Sequence, residues 1–366
     1  MIPVYKGLED TLSCLNSLYV TKVKNKTAMR IIVINDVSPE IALTEILKSH
    51  SVQGLIHLIE RPFNVGFVGT INTGLSVESD NDVILLNADT CVVGNWLDRL
   101  RNAANSASDI ATVTPITNNG ELVSYPFSMQ SDEMPSDEQI MLLDDLFFKL
   151  GSEIPHVIPT GVGFCLYIKR EVLKQLGGLN EHLIYRGYGE ETEFCLRVAS
   201  AGWKNVAASN VYVGHKGSVS FGQEKARLAK RNNAQIHARF PNHNAEYDSF
   251  LSQNPLASLY RKIQRKWLRS ELPPHKLVLN LIHSTEPIEN DDEISLRLEL
   301  HEESIPTFLR LVIHGIAGLA HIDYGLPIQS DELLEDLKLL NLSGFTLHGL
   351  TSRWSPDFLD NLKSSI

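Results

Sequence analysis

Ile84-Leu85-Leu86-Asn87-Ala88-Asp89-Thr90 is an unbroken apolar run that ends in a polar tip. A short run without in–out alternation reads as a strand buried on both faces, and so as part of a parallel sheet. Its tip carries Asp89 to the carboxyl edge of that sheet, the edge at which open α/β sheets bind ligands. An aspartate there suits a divalent cation carried by a diphosphate, because hard cations take oxygen ligands. Taken alone, a strand closed by a polar turn is also ordinary loop punctuation.

The surrounding sequence repeats the theme. Strand-like runs at 31–35, 55–59, 82–86 and 110–114 alternate with helical spacing over Asp10 to Tyr19, Ala42 to Ser49 and Phe67 to Val77. That alternation predicts right-handed crossovers and a mostly parallel sheet flanked by helices. Asn64 to Gly69 opens the third helix, and its glycines let a backbone approach a ligand closely. The spacing is neither that of a dinucleotide fingerprint nor that of a Walker loop, which disfavours a Rossmann-type dehydrogenase.

Further along, Thr114-Pro115-Ile116-Thr117-Asn118-Asn119-Gly120 is dense in turn formers and leaves the sheet edge. An acidic stretch follows to about 152, with a helix near Glu138 to Leu150. Pro159 to Ile168 reads as a turn feeding another buried strand. Arg170 to Leu176 reads as a short helix closed by Gly177-Gly178.

Gly187-Tyr188-Gly189-Glu190-Glu191-Thr192-Glu193-Phe194-Cys195-Leu196-Arg197 then places three carboxylates at the start of an amphipathic helix. The helix dipole favours ionised acids there, and an ionised carboxylate in a cleft can take a proton from a hydroxyl. The competing reading is plain first-turn capping. Glu193 and Arg197 stand at i and i+4 and predict a helix-surface ion pair, whereas Glu190 and Glu191 have no such partner. Val211-Tyr212-Val213-Gly214-His215-Lys216-Gly217 ends a further apolar run in an imidazole, although a lone histidine is more often structural.

In this order the motifs resemble those of a family 2 glycosyltransferase with the GT-A fold, over roughly residues 1–225. Ile2-Pro3-Val4-Tyr5 is similar to the opening strand and its nucleotide-contacting end. Ile31-Ile32-Val33-Ile34-Asn35-Asp36-Val37-Ser38 is similar to the second strand, with Asp36 at the base-recognising aspartate. Asn64-Val65-Gly66-Phe67 and Asn72-Thr73-Gly74 match the marked helix start. The resemblance therefore assigns donor binding to Pro3, Val4, Tyr5, Asp36, Asn64, Gly66, Asn72, Asn87 and Ala88. Asn87-Ala88-Asp89 stands at the motif usually written Asp-x-Asp, and His215 at a C-terminal metal-ligand histidine. Asp89 and His215 are thus the expected ligands of Mg2+ or Mn2+. Glu190-Glu191-Thr192-Glu193-Phe194 stands at the segment usually read Glu-Asp-x-Asp-Leu. That puts Glu191 at the general-base position, with Glu190 beside it as the second catalytic candidate.

The resemblance implies inverting, metal-dependent transfer from a nucleotide diphospho-sugar to the hydroxyl of a saccharide or lipid-linked saccharide acceptor. The setting it implies is bacterial surface polysaccharide synthesis, and the stretch after Gly120 falls on the acceptor side, as a mobile loop. A nucleotidyltransferase and a catalytically weak nucleotide-sugar-binding module are the alternatives. The first would need a basic, glycine-rich triphosphate loop near the N-terminus, which is not found in the sequence. Three positions depart from the family pattern. Asn87 replaces a carboxylate, which leaves one charge fewer for the cation. Glu191 reaches one methylene further than aspartate. Ile71 stands where many relatives carry arginine.

Composition bounds the rest. A chain of 366 residues with 43% apolar and 21% charged residues can bury a proper core and suits one and a half to two domains. A net charge of −11 argues against nucleic acid or a broad anionic membrane surface as partner. The basic segments Lys225 to Arg239 and Arg261 to Arg269 read as solvated helix faces. No run reaches the roughly 18 apolar residues of a membrane span and no signal peptide pattern opens the chain. Four dispersed cysteines form no zinc or disulfide signature, and Cys165 and Cys195 read as buried small hydrophobes. These features predict a cytoplasmic protein, with at most peripheral association at the inner face of the membrane.

The expected organisation is a glycosyltransferase domain over 1–225, a helical linker over 226–274 and a partial α/β domain over 275–366. Strand-like runs at Lys276 to His283 and Gly344 to His348, with Phe308 to Ile313 and Leu333 to Leu340 between them, faintly resemble the start of a GT-B-like domain. The chain is thus expected to be a fragment of a larger enzyme.

Overall fold

The computed structural model describes residues 1–184, 189–217, 222–271, 277–283, 295–301, 308–314, 321–325, 330–340, 342–347, 354 and 356–365. Gly187 and Tyr188 of the acidic motif, Leu272 to Lys276, His348, and most of the acidic stretch after Glu286 lie outside the described residues. The chain divides into two units, Met1–Ala257 and Ser258–Ile366. The helical segment expected as a linker is divided between them.

In the first unit the order begins β1 (Ile2–Val4), α1 (Leu8–Lys22), β2 (Ile32–Asn35), α2 (Ile41–Val52), β3 (His57–Glu60), α3 (Gly66–Val77) and β4 (Val83–Leu86). It continues with β5 (Thr90–Cys91), α4 (Trp96–Ala104), β6 (Ile110–Ile116), α5 (Asp137–Leu150), β7 (His156–Ile158) and β8 (Cys165–Ile168). Then come α6 (Arg170–Leu176), α7 (Glu190–Ser200), β9 (Lys204–Tyr212), β10 (Gly214–His215), α8 (Gly222–Arg239) and α9 (His243–Gln253).

β3, β2 and β1 are parallel neighbours. The Met1 amine donates to Ile84 O at 2.7 Å and Leu86 N donates to Met1 O at 3.0 Å, the bonding pattern of a parallel pair. The sheet therefore runs β3-β2-β1-β4 and continues β4-β8-β6-β9-β7. The parallel sheet expected around Ile84 is present on the β1 side. On the other side β4 meets β8 antiparallel. An apolar run buried on both faces looks the same whichever way its neighbour points, so sequence pattern could not separate the two.

Inward faces of β4, β6 and β8 pack with α3, α6 and α7 through Val68, Ile71, Val83, Leu85, Leu166 and Phe194 among others, each almost fully buried. Burial of each such side chain is worth about 1.5–3 kcal/mol. On the other side α4 and α5 are tied to β9 by a buried ion pair, Arg99 Nη2 to Asp144 Oδ2 at 2.6 Å. Tyr212 N donates to Asp144 Oδ1 at 3.0 Å, and Arg99 Nη1 donates to the carbonyl of Asn210.

The second unit holds α10 (Ala257–Glu271), β11 (Leu277–His283), β12 (Ser295–His301), β13 (Phe308–His314), β14 (His321–Gly325), α11 (Ser330–Leu339), β15 (Leu342–Leu347) and α12 (Pro356–Ser365). Its sheet is ordered β14-β13-β12-β11-β15. β11 is parallel to β12 and β15, while β12, β13 and β14 form an antiparallel meander. The meander differs from the parallel doubly wound sheet that a GT-B-like start implies; β12 interleaves its leucines with Arg297 and Glu299 and β14 is only five residues long, so neither shows a continuous apolar run. Alternate residues Leu296, Leu298, Leu309, Leu311, Ile322 and Tyr324 are buried in one core. Arg261 and Arg265 of α10 do not form a solvated face. They pair with Glu332 at 2.7 Å and with Asp336 at 2.6 Å, so the basic run serves to anchor the helix within this unit. Among the described residues no helix is long and apolar enough to cross a membrane.

Candidate active site

The tip of β4 and the short strands β5 and β10 build the centre of the site. β10 pairs antiparallel with β5, His215 opposite Thr90, and Lys216 N donates to Asp89 O at 3.0 Å. The pairing carries His215 Nε2 to 3.5 Å from Asp89 Oδ1, with both side chains largely buried. The other ring nitrogen, Nδ1, lies 2.6 Å from the carbonyl of Asn119. A carbonyl only accepts, so Nδ1 carries a proton, and in the neutral tautomer this leaves the Nε2 lone pair facing Asp89. Two acceptors facing each other at this distance suit a shared cation. Among the described residues no group of three or more His, Cys, Asp or Glu forms a metal cluster. Asp89 and His215 are thus two candidate ligands, a carboxylate and an imidazole.

Sequence reasoning missed how this histidine is held. Asn118 donates to His215 O at 2.7 Å and to Asp132 O at 3.0 Å, and its Oδ1 accepts from His215 N at 2.9 Å. The ring of Phe164 stacks on that of His215, centroids 5.1 Å apart and planes 19° from parallel. Phe164 O also accepts from Asn87 N at 2.8 Å, which joins the β4 tip to the start of β8. The Thr117-Asn118-Asn119-Gly120 turn was the available signal, and it reads as punctuation until the fold brings β10 beside it.

Glu191 is the second residue of α7, which starts after Gly189, a left-handed residue with φ 102° whose absent side chain leaves room for Ile236 of α8. The Glu191 side chain lies over Gly163, where a Cβ would stand 3.6 Å from Glu191 Cδ. Gly163 is bonded to Phe164, so one dipeptide links the acid to the His215 ring. Desolvation, then the charges of Glu190 and Glu121, push the Glu191 carboxyl well above the usual carboxylate range. Glu190 is buried beside it. Glu193, by contrast, is fully buried and grips Arg197, with Nη2 to Oε2 at 3.0 Å. Arg197 also donates to Leu176 O and Gly178 O. The predicted pair is present, but it is an internal clamp and not a surface one.

On the β1–β3 side, Asp36 is buried and accepts from Val65 N and Gly66 N, both at 2.9 Å, at the start of α3. Asn64 Nδ2 donates to Asp36 O at 3.1 Å. Val4 is buried at the end of β1, Pro3 is partly buried, and Tyr5 is 38% exposed beyond them. Asn87 and Ala88 are partly buried next to Asp89. Asn72 goes elsewhere: its amide donates to Leu179 O and Glu181 Oε1 and accepts from Leu179 N, so it fastens α3 to the loop after α6. The four cysteines are free and buried, and burial pushes Cys14 up to about 11, which leaves that thiol a neutral packing group.

Residues 1–177 match the family described as Glycosyl transferase family 2. Comparison with curated proteins returns no match. Among solved structures, the chain is similar to the mannosyltransferase PcManGT from Pyrobaculum calidifontis in complex with GDP-Man and Mn2+. The identity is 14% over 75% of this chain and 75% of that one, with a TM-score of 0.47. It is also similar to GalNAc-T7 with UDP, GalNAc and Mn2+, at 16% identity over 89% of this chain and 66% of that one, with a TM-score of 0.46.

Proposed function

We propose that this chain, whose residues 1–177 belong to glycosyl transferase family 2 and form a GT-A glycosyltransferase domain, inverts the anomeric carbon of the sugar it transfers. The donor is a nucleotide diphospho-sugar and the acceptor is a hydroxyl of a saccharide or lipid-linked saccharide. One observation carries the reading: Asp89 and His215 meet at 3.5 Å, and Glu191 lies one dipeptide away over Gly163. A diphosphate-binding end and a proton-accepting end thereby share one neighbourhood.

Asp89 and His215 would hold Mg2+ or Mn2+, which when bound neutralises charge on the departing nucleoside diphosphate. Asn119 fixes the ring so that Nε2 is the free nitrogen, and Asn118 holds its backbone in place. With Asn87 as a neutral amide, fewer protein charges hold the diphosphate than in a site with two aspartates. Tyr5 and Asp36 lie on the side assigned to the nucleobase. Glu191 takes the proton of the acceptor hydroxyl as its oxygen attacks opposite the leaving group. A raised affinity for protons makes it a stronger base than an ordinary carboxylate. The setting that suits this chemistry is polysaccharide assembly in a bacterial cytoplasm, with the acceptor at the inner membrane face.

A panel of UDP-, GDP- and dTDP-sugars, assayed for release of nucleoside diphosphate with MnCl2 or MgCl2, tests the reading. Release of diphosphate from at least one donor is expected. Pyrophosphate release would point to nucleotidyl transfer, and tight donor binding without any turnover would leave only a binding module.

A further inference from the structure

A single side chain joins His215 to the loop assigned to the acceptor side. The loop spans residues 118–132 and its two ends meet at Asn118 and Asp132. Asp132 N donates to Asn118 O at 3.0 Å, and Asn118 Nδ2 donates back to Asp132 O at 3.0 Å. The same amide reaches β10, where Nδ2 donates to His215 O at 2.7 Å and Oδ1 accepts from His215 N at 2.9 Å. Asn118 is 2% exposed, and both its amide protons and its oxygen are engaged. Beside it, Asn119 O meets His215 Nδ1 at 2.6 Å while Asn119 Oδ1 accepts from Ser131 Oγ at 2.8 Å. Gly217 leaves room for this second amide, since a Cβ there would overlap Asn119 Nδ2. The neck of the loop and the imidazole are thus held by the same two asparagines.

The rest of the loop is held under strain. Glu121 and Met129 have φ 50° and 66°, in the left-handed region that neither side chain favours. Such a conformation persists only where the surroundings over-determine it. Met129 N donates to Glu121 O at 2.7 Å, and from α9 Tyr247 OH reaches Met129 Sδ at 3.0 Å and Glu121 Oε2 at 3.4 Å. The loop is therefore anchored twice, to α9 at its far end and to His215 at its neck.

We propose that Asn118 and Asn119 are positioning residues that couple this loop to the cation. Order in the loop sets how firmly His215 is presented, and a cation held by Asp89 and His215 in turn orders the loop. The proposal rests on the reading of those two residues as the cation's ligands. A loop that lets go of Asn118 frees the backbone and the ring of His215 together, which weakens the ligand it presents. The coupling is reciprocal, so each event favours the other by the same factor. Occupancy of the donor side is thereby felt on the acceptor side.

Mn2+ affinity and loop protection test the coupling without an activity assay. MnCl2 is titrated into the full chain in the presence of UDP, GDP and dTDP, and free Mn2+ is read by electron paramagnetic resonance against a protein-free blank. Asn118→Ala is expected to weaken Mn2+ binding about 10-fold or more. Ser131→Ala and Tyr247→Phe each remove a hydroxyl bonded to the loop and to neither Asp89 nor His215. Each should weaken binding about 3-fold, the scale of one hydrogen bond, while Ser131→Thr keeps the wild-type value. Hydrogen exchange of the amides of 119–131 should slow with MnCl2 relative to EDTA in wild type, and not in Asn118→Ala. Wild-type Mn2+ affinity in both hydroxyl variants, or loop exchange that is the same with MnCl2 and with EDTA, overturns the proposal. Asp89→Ala is run alongside: if it binds Mn2+ as wild type does, the cation sits elsewhere and the ligand assignment itself has failed.

Discussion

His215 Nε2 faces Asp89 Oδ1 across 3.5 Å while Nδ1 of the same ring is bound to the Asn119 carbonyl. The second contact gives the first its chemical meaning, since it decides which nitrogen carries the proton. Asp89→Ala is expected to weaken Mn2+-dependent binding of nucleoside diphosphates by about 10- to 100-fold or more, the range seen even for residues behind the metal ligands. Isothermal titration of UDP, GDP and dTDP with and without MnCl2 measures this. Equal metal-dependent affinity in wild type and variant would remove Asp89 from the metal site.

Glu191→Gln keeps the shape of the side chain over Gly163 and removes its capacity to take a proton. Turnover should fall by about 10²–10⁴-fold, the contribution of a positioned general base, while donor affinity stays within a few-fold of wild type. In wild type, activity should decline on acidification at a pH above the ordinary carboxylate range, because Glu191 must be deprotonated to act and its carboxyl is pushed upward. Near-normal turnover in the variant would refute the assignment.

Much of this was legible in the sequence, and what was not shares one cause. Each strand and helix expected over residues 1–114 is present, because apolar period and glycine position are local properties. Glu193 was read correctly as the partner of Arg197, since i,i+4 spacing is local as well. The two-residue strands β5 and β10 were not foreseen, because neither carries a periodic signal and each exists only through the other. Asn118, the clamp on His215, was hidden for the same reason. Its hydrogen bonds join turns and strands distant in sequence. The antiparallel side of β4 and the ion pairs of Arg261 and Arg265 likewise depend on which element arrives next to them.

Asp36 joins a structural duty to the donor contact expected of it. Both carboxylate oxygens accept backbone N–H groups at the start of α3, from Val65 and Gly66. A negative charge at that end also complements the helix dipole. Asp36→Ala should therefore destabilise the first unit by about 1–3 kcal/mol, and Asp36→Asn by less, because the amide oxygen can still accept one bond. Urea unfolding followed by circular dichroism gives the comparison. If alanine cost nothing, the two hydrogen bonds would be marginal and the residue could be assigned wholly to ligand binding.

The same chemistry that strengthens Glu191 as a base should weaken the fold around it, and the sign can be worked out. In the unfolded chain a glutamate titrates at about 4.3, whereas in the native protein burial and two neighbouring acids raise Glu191 above that value. Below the unfolded value both states hold the proton, so Glu191 and a glutamine in its place are equivalent. As pH rises from there through the native titration, the unfolded chain gives up its proton and the native state does so only at a cost. Wild type therefore loses stability over this window relative to Glu191→Gln, and above it the difference is constant. The variant should match wild type near pH 4 and be the more stable of the two near pH 8. Unfolding curves for both proteins at the two pH values measure the difference directly. Equal stability at pH 8 would mean that Glu191 ionises in the native state as easily as in water, and the site would then hold an ordinary carboxylate with no special affinity for the acceptor's proton.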